Sequence, residues 1–369
     1  MQDRIVMLAD LDYFYAQCEE VRNPALRKKP VVICVYSGRT EDSGVVSTAN
    51  YIARSYGVGP GIPIYAAKRK LKEKDAVFLP VDHIFYSLVS ERVMTILKGH
   101  TDLFEQVGID EAYLEVSNKV MGELDHAVEL AKMIKTEIRS REGLTCSIGI
   151  GPNKLIAKMA ADFTKPDGLT LVGLGQVQQF LFPLEISRLI GVGKRTSEKM
   201  QTLGISTIGD LARYDLGQLM NVFGRRLGRY FHDASNGIDY RPVKAKEQLQ
   251  SISRISTLKE DTRDLETIEE KIEGLCDQIG DMVLREDLLF RSIGITFVAN
   301  DLSIHSRSRT LQAPTNQLRV LKKIARDLIR RFLNESEIIP RRVGVRVANL
   351  KRRHGIQVRL MDPESNRAG

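Results

Sequence analysis

An apolar run from Ile5 to Ala9 stops on Asp10-Leu11-Asp12, and a second acidic cluster, Asp110-Glu111, follows Gly108-Ile109 about a hundred residues later. Carboxylates at the ends of buried strands are costly unless something neutralises them. Any fold of this chain must therefore bring counter-charge to both clusters. Oxygen-only clusters suit a hard divalent cation such as magnesium rather than a thiolate metal. The apolar spacing between the clusters narrows the topology. Residues 85–98 carry a helical pattern, and residues 103–109 and 112–116 read as strands flanking Asp110-Glu111. In residues 126–140, Ala127, Leu130, Ala131, Ile134 and Ile138 recur on one helical face, and residues 145–150 form another strand. With the first strand, the succession is β-α-β-β-α-β, a ferredoxin-like unit into which residues 12–79 are inserted. In such a sheet the first and third strands are antiparallel neighbours. Asp10 then lies beside Asp110 and Glu111 at one sheet end. A lone pair of aspartates reads as a turn or helix cap. Two clusters on matching strand ends favour a metal site, from which Asp12 is left out.

The net charge of +8 favours a polyanionic partner. Together with oxygen-ligated metal it points to phosphoryl transfer on a nucleic acid. The 369 residues, 43% hydrophobic and 28% charged, suffice for two to four ordinary globular domains. Cys18, Cys34, Cys146 and Cys276 fit no metal-ligand spacing, and Cys18, Cys34 and Cys146, in apolar runs, read as small buried hydrophobes. No apolar run approaches the roughly 20 residues of a membrane span, and no signal-peptide pattern opens the chain. A cytoplasmic location is therefore expected.

Two further regions follow. Ile190-Gly191-Val192-Gly193-Lys194, with Leu203-Gly204-Ile205 downstream, reads as helix, glycine hairpin, helix. Such a hairpin exposes backbone N–H groups to a phosphate, and Gly191, Gly193 and Lys194 are its candidate DNA contacts. Residues 236–248 are polar, contain Gly and Pro and read as a linker. The last domain alternates strands (residues 290–299 and 341–347) with helices (264–285 and 316–333). Along Arg342–Val347 the valines and arginines alternate in side. Arg254, Arg307 and Arg309 lie on further strand-like segments rich in Ser and Thr. Arg254, Arg307, Arg309, Arg341, Arg342 and Arg346 are thus expected to supply a basic sheet face suited to phosphate oxygens.

Asp10-Leu11-Asp12-Tyr13-Phe14-Tyr15-Ala16 and Gly108-Ile109-Asp110-Glu111-Ala112-Tyr113-Leu114 resemble the two catalytic motifs of the Y-family, lesion-bypass DNA polymerases. Thr48-Ala49-Asn50-Tyr51-Ile52-Ala53-Arg54, Lys165-Pro166-Asp167-Gly168 and the helix-hairpin-helix fit the same family in the same order. The likeness spans residues 1 to about 353 and is strongest to the DinB-like, archaeal-type branch. It implies an α+β multidomain protein. A ferredoxin-like palm (1–13 and 80–170) carries inserted fingers (14–79). An all-helical thumb (171–235), the linker (236–248), an α/β little finger (249–355) and a tail (356–369) follow.

The resemblance also implies roles. Asp10, Asp110, Glu111 and the Leu11 carbonyl would hold two Mg2+ ions, with Mn2+ as a substitute. Ions roughly 4 Å apart can activate a primer 3′-oxygen and stabilise leaving pyrophosphate. Thr48, Tyr51, Arg54 and Lys165 would contact the triphosphate of a deoxynucleotide. The ring of Tyr15 would be a steric gate against a ribose 2′-hydroxyl. Primer–template DNA and deoxynucleoside triphosphates are the implied partners. The activity implied is low-fidelity synthesis without proofreading, past lesions. A sliding clamp is a further partner in many relatives, yet His354–Met361 lacks the paired aromatics of their clamp-binding peptide. The chain reads as a monomer. A diguanylate-type cyclase is disfavoured, because it would need neither fingers, hairpin nor basic terminal domain. Intact acidic and phosphate-contacting positions disfavour a non-catalytic scaffold.

Overall fold

The computed structural model describes residues 4–244 and 249–353. Two compact units emerge, Met1–Val35 with Val45–Lys246, and Tyr36–Gly44 with Glu247–Gly369. The expected tail and its clamp-peptide positions, His354 onward, and linker residues 245–248 lie outside the described residues.

In the first unit the palm is a five-stranded sheet. Its order is Leu103–Gln106, Glu111–Glu115, Val6–Leu11, Cys146–Gly151 and Leu169–Leu171. The last short strand was not anticipated; it runs parallel to Cys146–Gly151. The central strand Val6–Leu11 is buried along its whole length, as expected for a strand covered on both faces. Helices His83–Gly99 and Leu124–Glu142 cover one face. Ala127, Leu130, Ala131, Ile134 and Ile138 form the buried stripe of the second helix. Full burial of each large apolar side chain stabilises by about 1.5–3 kcal/mol. The predicted order and element types are those observed, and Asp10 pairs directly with Glu111 in antiparallel register.

On the other face lies the helix Lys154–Phe163, absent from the sequence expectation. It approaches unusually closely. A Cβ at Gly149 would come within 2.1 Å of the Ala157 carbonyl oxygen, so only glycine admits the helix. The helix Phe14–Arg22 packs into the palm core through Phe14, Ala16 and Cys18, although it follows the fingers boundary expected at residue 14. The fingers have their own small sheet, Gly44–Ala49, Val31–Tyr36 and Val77–Pro80, over Val46, Ala53, Ile64 and Ala67.

The thumb is helical. Before the glycine hairpin stands only a three-residue 3-10 turn, Ile186–Arg188, rather than the expected full helix. The helices Lys194–Thr202 and Ile208–Arg213 follow, and Gly191 adopts φ +87°, a conformation that favours glycine. Of the expected linker, residues 236–244 run along the palm. Asn153 Nδ2 donates to the Gly237 carbonyl at 2.8 Å, and Val243 is buried with Val6, Leu8 and Tyr113.

In the second unit the sheet order is Ile304–Thr315, Leu288–Ala299, Pro340–Ala348, Ser251–Thr257, all antiparallel. Helices Leu265–Arg285 and Leu318–Glu335 pack on one face, with Phe297 stacked on Phe332 at 4.2 Å between centroids. Among the described residues no helix is long and apolar enough to cross a membrane.

Candidate active site and nucleic-acid interface

The carboxylates sit where strand pairing puts them. Asp10 ends its strand opposite Glu111, and the Leu11 N–H donates to the Asp110 carbonyl at 2.9 Å. That bond ties the two strand ends together. Asp10, Leu11, Tyr15, Thr48, Tyr51, Arg54, Asp110, Glu111 and Lys165 all line one cavity of about 410 Å³. Ser47 and Pro60 line it from the fingers, and Tyr13, Phe14, Ile109 and Lys158 line it as well.

Asp12 has a different task. Beyond the strand's end the chain turns through Tyr13, at φ +36°. The Asp12 carboxylate accepts from Thr145 Oγ1, Ser147 Oγ and the Asp167 N–H, each at 2.8 Å. It is buried and satisfied. Its bond to Asp167 also anchors the loop that carries Lys165.

Two lysines reach into the acidic cluster. Lys165 Nζ lies 2.7 Å from Asp10 Oδ1 and 2.9 Å from Asp162 Oδ1. Lys158 Nζ lies 2.8 Å from Asp10 Oδ2 and 2.7 Å from Glu111 Oε2, bridging carboxylates from two strands. Burial works against both ammonium groups, but Asp10 carries each above the usual lysine range. Lys158 and Asp162 were not identified from the sequence. The available signal was a lysine inside the small, apolar run Leu155–Ala161. Burial, and then the charge of Asp10, raise the Asp110 carboxyl above its ordinary range. That is the environment in which a bound cation stabilises a carboxylate most. The donors are hard oxygens, which fit Mg2+ or Mn2+. Among the described residues, however, no three acidic, His or Cys side chains form a ready-made metal cage.

The nucleotide-side residues are equally local in origin. Asn50 caps the short helix Tyr51–Ser55 by accepting from the Ala53 N–H. Tyr51 and Arg54 therefore share a side, with the guanidinium 4.9 Å from the ring centroid. Arg54 Nε donates to the Ala49 carbonyl at 2.8 Å, and Tyr13 meets Tyr51 edge-on at 5.2 Å. Tyr15 stacks on Tyr86 at 4.3 Å with the planes 15° apart, so its ring is held flat at the cavity wall. Burial, and secondarily Asp110, push its phenol up, which keeps it neutral.

The expected basic sheet face divides in two. Antiparallel partners project to the same side, so the pairings define rows. Arg307, Ile295, Val345 and Arg254 form one row, and Ile295 and Val345 are buried beneath the helices. Arg254 and Arg307 therefore lie on the helix side. Arg254 donates to Met282 Sδ, and Arg307 sits 5.6 Å from the Phe332 ring centroid. Arg309, opposite buried Ile293, joins them, and Arg341 reaches Asp261 at 3.8 Å. The open face carries Arg342 and Arg346 amid Ser251, Ser253, Thr296, Ser306 and Ser308. Arg346 Nη2 donates to Ser251 Oγ at 3.1 Å. In the thumb, Gly193 caps the helix that Lys194 begins.

Comparison with known proteins gives this arrangement a family. Residues 9–162 match the impB/mucB/samB family, residues 249–360 its C-terminal domain, and residues 187–239 the thumb domain of DNA polymerase-iota. The DNA polymerase IV of Nitrosopumilus maritimus is 46% identical, over 96% of this chain and 98% of the relative. Among solved structures, a Y-family DNA polymerase chimera superposes with a TM-score of 0.89 at 35% identity. That match covers 94% of this chain and 99% of the chimera. An insertion ternary complex of Dbh DNA polymerase gives 0.69 at 35% identity, over 94% and 99% of the two chains. The family models thus cover the residues before, within and after the glycine hairpin, and the likeness runs along nearly the whole of this chain and of these relatives. The chain belongs to the impB/mucB/samB family, in the DinB-like, archaeal-type branch of the Y-family polymerases, and is a DNA-directed DNA polymerase of the low-fidelity translesion class.

Proposed function

We propose that Asp10, Asp110, Glu111 and the Leu11 carbonyl hold two Mg2+ ions, replaceable by Mn2+, while Thr48, Tyr51, Arg54 and Lys165 bind the triphosphate of an incoming deoxynucleotide. The observation that carries this reading is the shared cavity. Residues from both palm strand ends, the fingers and the Lys165 loop line one space of about 410 Å³. Held by those oxygens, divalent ions would supply Lewis acidity to a primer 3′-oxygen and would offset charge on leaving pyrophosphate.

The chain's own residues do the rest. The carboxylates supply oxygen ligands at a fixed strand end. Lys165 and Arg54 present cations to the phosphate oxygens, and Tyr51 and Thr48 present hydroxyls. Tyr15, backed by Tyr86, fills the space of a ribose 2′-hydroxyl. Substrate is primer–template DNA; the Dbh relative was solved as an insertion ternary complex. The thumb backbone at Gly191, Gly193 and Lys194 and the open-face Arg342 and Arg346 hold its phosphates. These contacts carry no base information, which suits a polymerase acting on any sequence.

Primer extension on undamaged and abasic templates tests the proposal. Extension should require Mg2+ or Mn2+, pass some abasic sites and disappear in Asp110→Ala, while primer–template binding persists. Normal extension by Asp110→Ala would remove the metal-site assignment.

A further inference from the structure

Lys158 occupies an unusual position for a lysine on a buried helix face. Its ammonium bridges Asp10 Oδ2 and Glu111 Oε2 at 2.8 and 2.7 Å. These carboxylates come from adjacent strands and belong to the proposed metal ligands. Two anions so close repel each other strongly in a partly buried site. Without a cation between them the strand ends would be destabilised. A third acid, Asp162, stands one helical turn beyond Lys158, with its Oδ2 already 3.6 Å from the ammonium. Its other oxygen is engaged by Lys165 at 2.9 Å.

We propose that Lys158 is a built-in counterion that bridges Asp10 and Glu111 in the metal-free enzyme and moves to Asp162 when a divalent cation takes those oxygens. It is a positioning residue that acts through the two carboxylates, although its side chain lines the same cavity. The inference rests on the assignment of Asp10, Asp110 and Glu111 as metal ligands, and it adds the element that sets their cation affinity. The move is short, because rotation of the flexible lysine side chain suffices and the helix backbone stays in place. Asp162 matters because it offers the displaced ammonium a partner instead of a buried position without one. Metal affinity is then a competition between a monovalent group tethered to the site and a divalent ion from solution.

The competition has an outcome opposite to that of a ligand or a phosphate contact. Deleting Lys158 should tighten metal binding and weaken the metal-free protein. Mn2+ binding to the protein without DNA or nucleotide, followed by electron paramagnetic resonance, reads the first effect. Melting in EDTA reads the second. Lys158→Met should bind Mn2+ more tightly, by about tenfold or more, because a positive charge that repels the incoming ion is removed. Its melting temperature in EDTA should fall and recover with Mn2+. Lys158→Arg should stay near wild type. Asp162→Asn keeps Lys158 but removes its second berth, and should bind Mn2+ several-fold more weakly. This second variant decides the question if Lys158→Met fails to fold.

Unchanged or weaker Mn2+ binding by Lys158→Met overturns the proposal, as does wild-type affinity in Asp162→Asn. An Asp110→Ala control separates the two layers. If it binds Mn2+ like wild type, the ligand assignment fails. If it loses Mn2+ while Lys158→Met is unaltered, only the counterion role fails.

Discussion

Asp12 and Asp110 both stand beside the palm strand ends, yet their removal should affect stability differently, and Asp12→Ala is the sharper case. Its carboxylate accepts from the hydroxyls of Thr145 and Ser147 and from the N–H of Asp167, all at 2.8 Å, at 1% exposure. Hydrogen bonds to a charged group contribute about 1.5–3 kcal/mol each, and a donor stranded by deletion costs about 1–3 kcal/mol. The two hydroxyls can turn to other acceptors, whereas the backbone N–H cannot. Loss of one full bond and part of two others gives a destabilisation of about 3–5 kcal/mol. Asp110→Ala should behave differently. Its removal relieves repulsion with Asp10, so stability should change by less than about 1 kcal/mol while nucleotide addition is lost. Urea unfolding of the two variants, followed by far-ultraviolet circular dichroism beside single-turnover incorporation, measures both quantities. Asp12→Ala should also lose incorporation, by loosening the loop that carries Lys165. A wild-type unfolding midpoint for Asp12→Ala, or an equal loss for Asp110→Ala, would refute the division into a structural and a metal-binding acid.

Other substitutions probe separate parts of the site. Tyr15→Ala should admit ribonucleotides, raising their incorporation relative to deoxynucleotides by at least an order of magnitude, about 1.4 kcal/mol of discrimination. Unchanged sugar selectivity would take the gate role from Tyr15. Arg342→Ala and Arg346→Ala should each lower the slope of log affinity against log salt by about 1, as expected for one phosphate contact. Arg254→Ala, on the helix side, should leave that slope unchanged. Burial pushes the Asp167 carboxyl up, but Lys135 and Arg139 more than offset this and hold it below the usual range. A lowered folded-state value means that its stabilisation is present above the ordinary aspartate range of about 3.9 and is lost as pH falls through the folded value. The melting gap between wild type and Asp167→Asn should therefore be open at pH 7 and close well below pH 4; a constant gap would exclude the charge as its cause.

Much of this protein could be read directly from the chain. The periodicity of Ala127, Leu130, Ala131, Ile134 and Ile138 specifies a helix buried on one side, because 3.6-residue spacing survives any packing arrangement. Apolar runs ending on Asp10 and bracketing Asp110-Glu111 specify strands, and their order alone brings the acids to one sheet end. Tertiary structure decided what depends on a partner. Asp12 is left out of the metal site already in the sequence, but what holds it away from the cavity is tertiary: donors from Thr145 and Ser147, more than 130 residues away. Lys158 became visible only when Gly149 let its helix lie against the palm strands. The arginines of the last domain make the same point. Alternation along one strand separates Arg342 and Arg346 from the valines between them. Whether Arg254 and Arg307 share that side is a matter of register between strands. Register is set by hydrogen bonding and core packing across the sheet, and a one-residue shift would have exchanged the two faces.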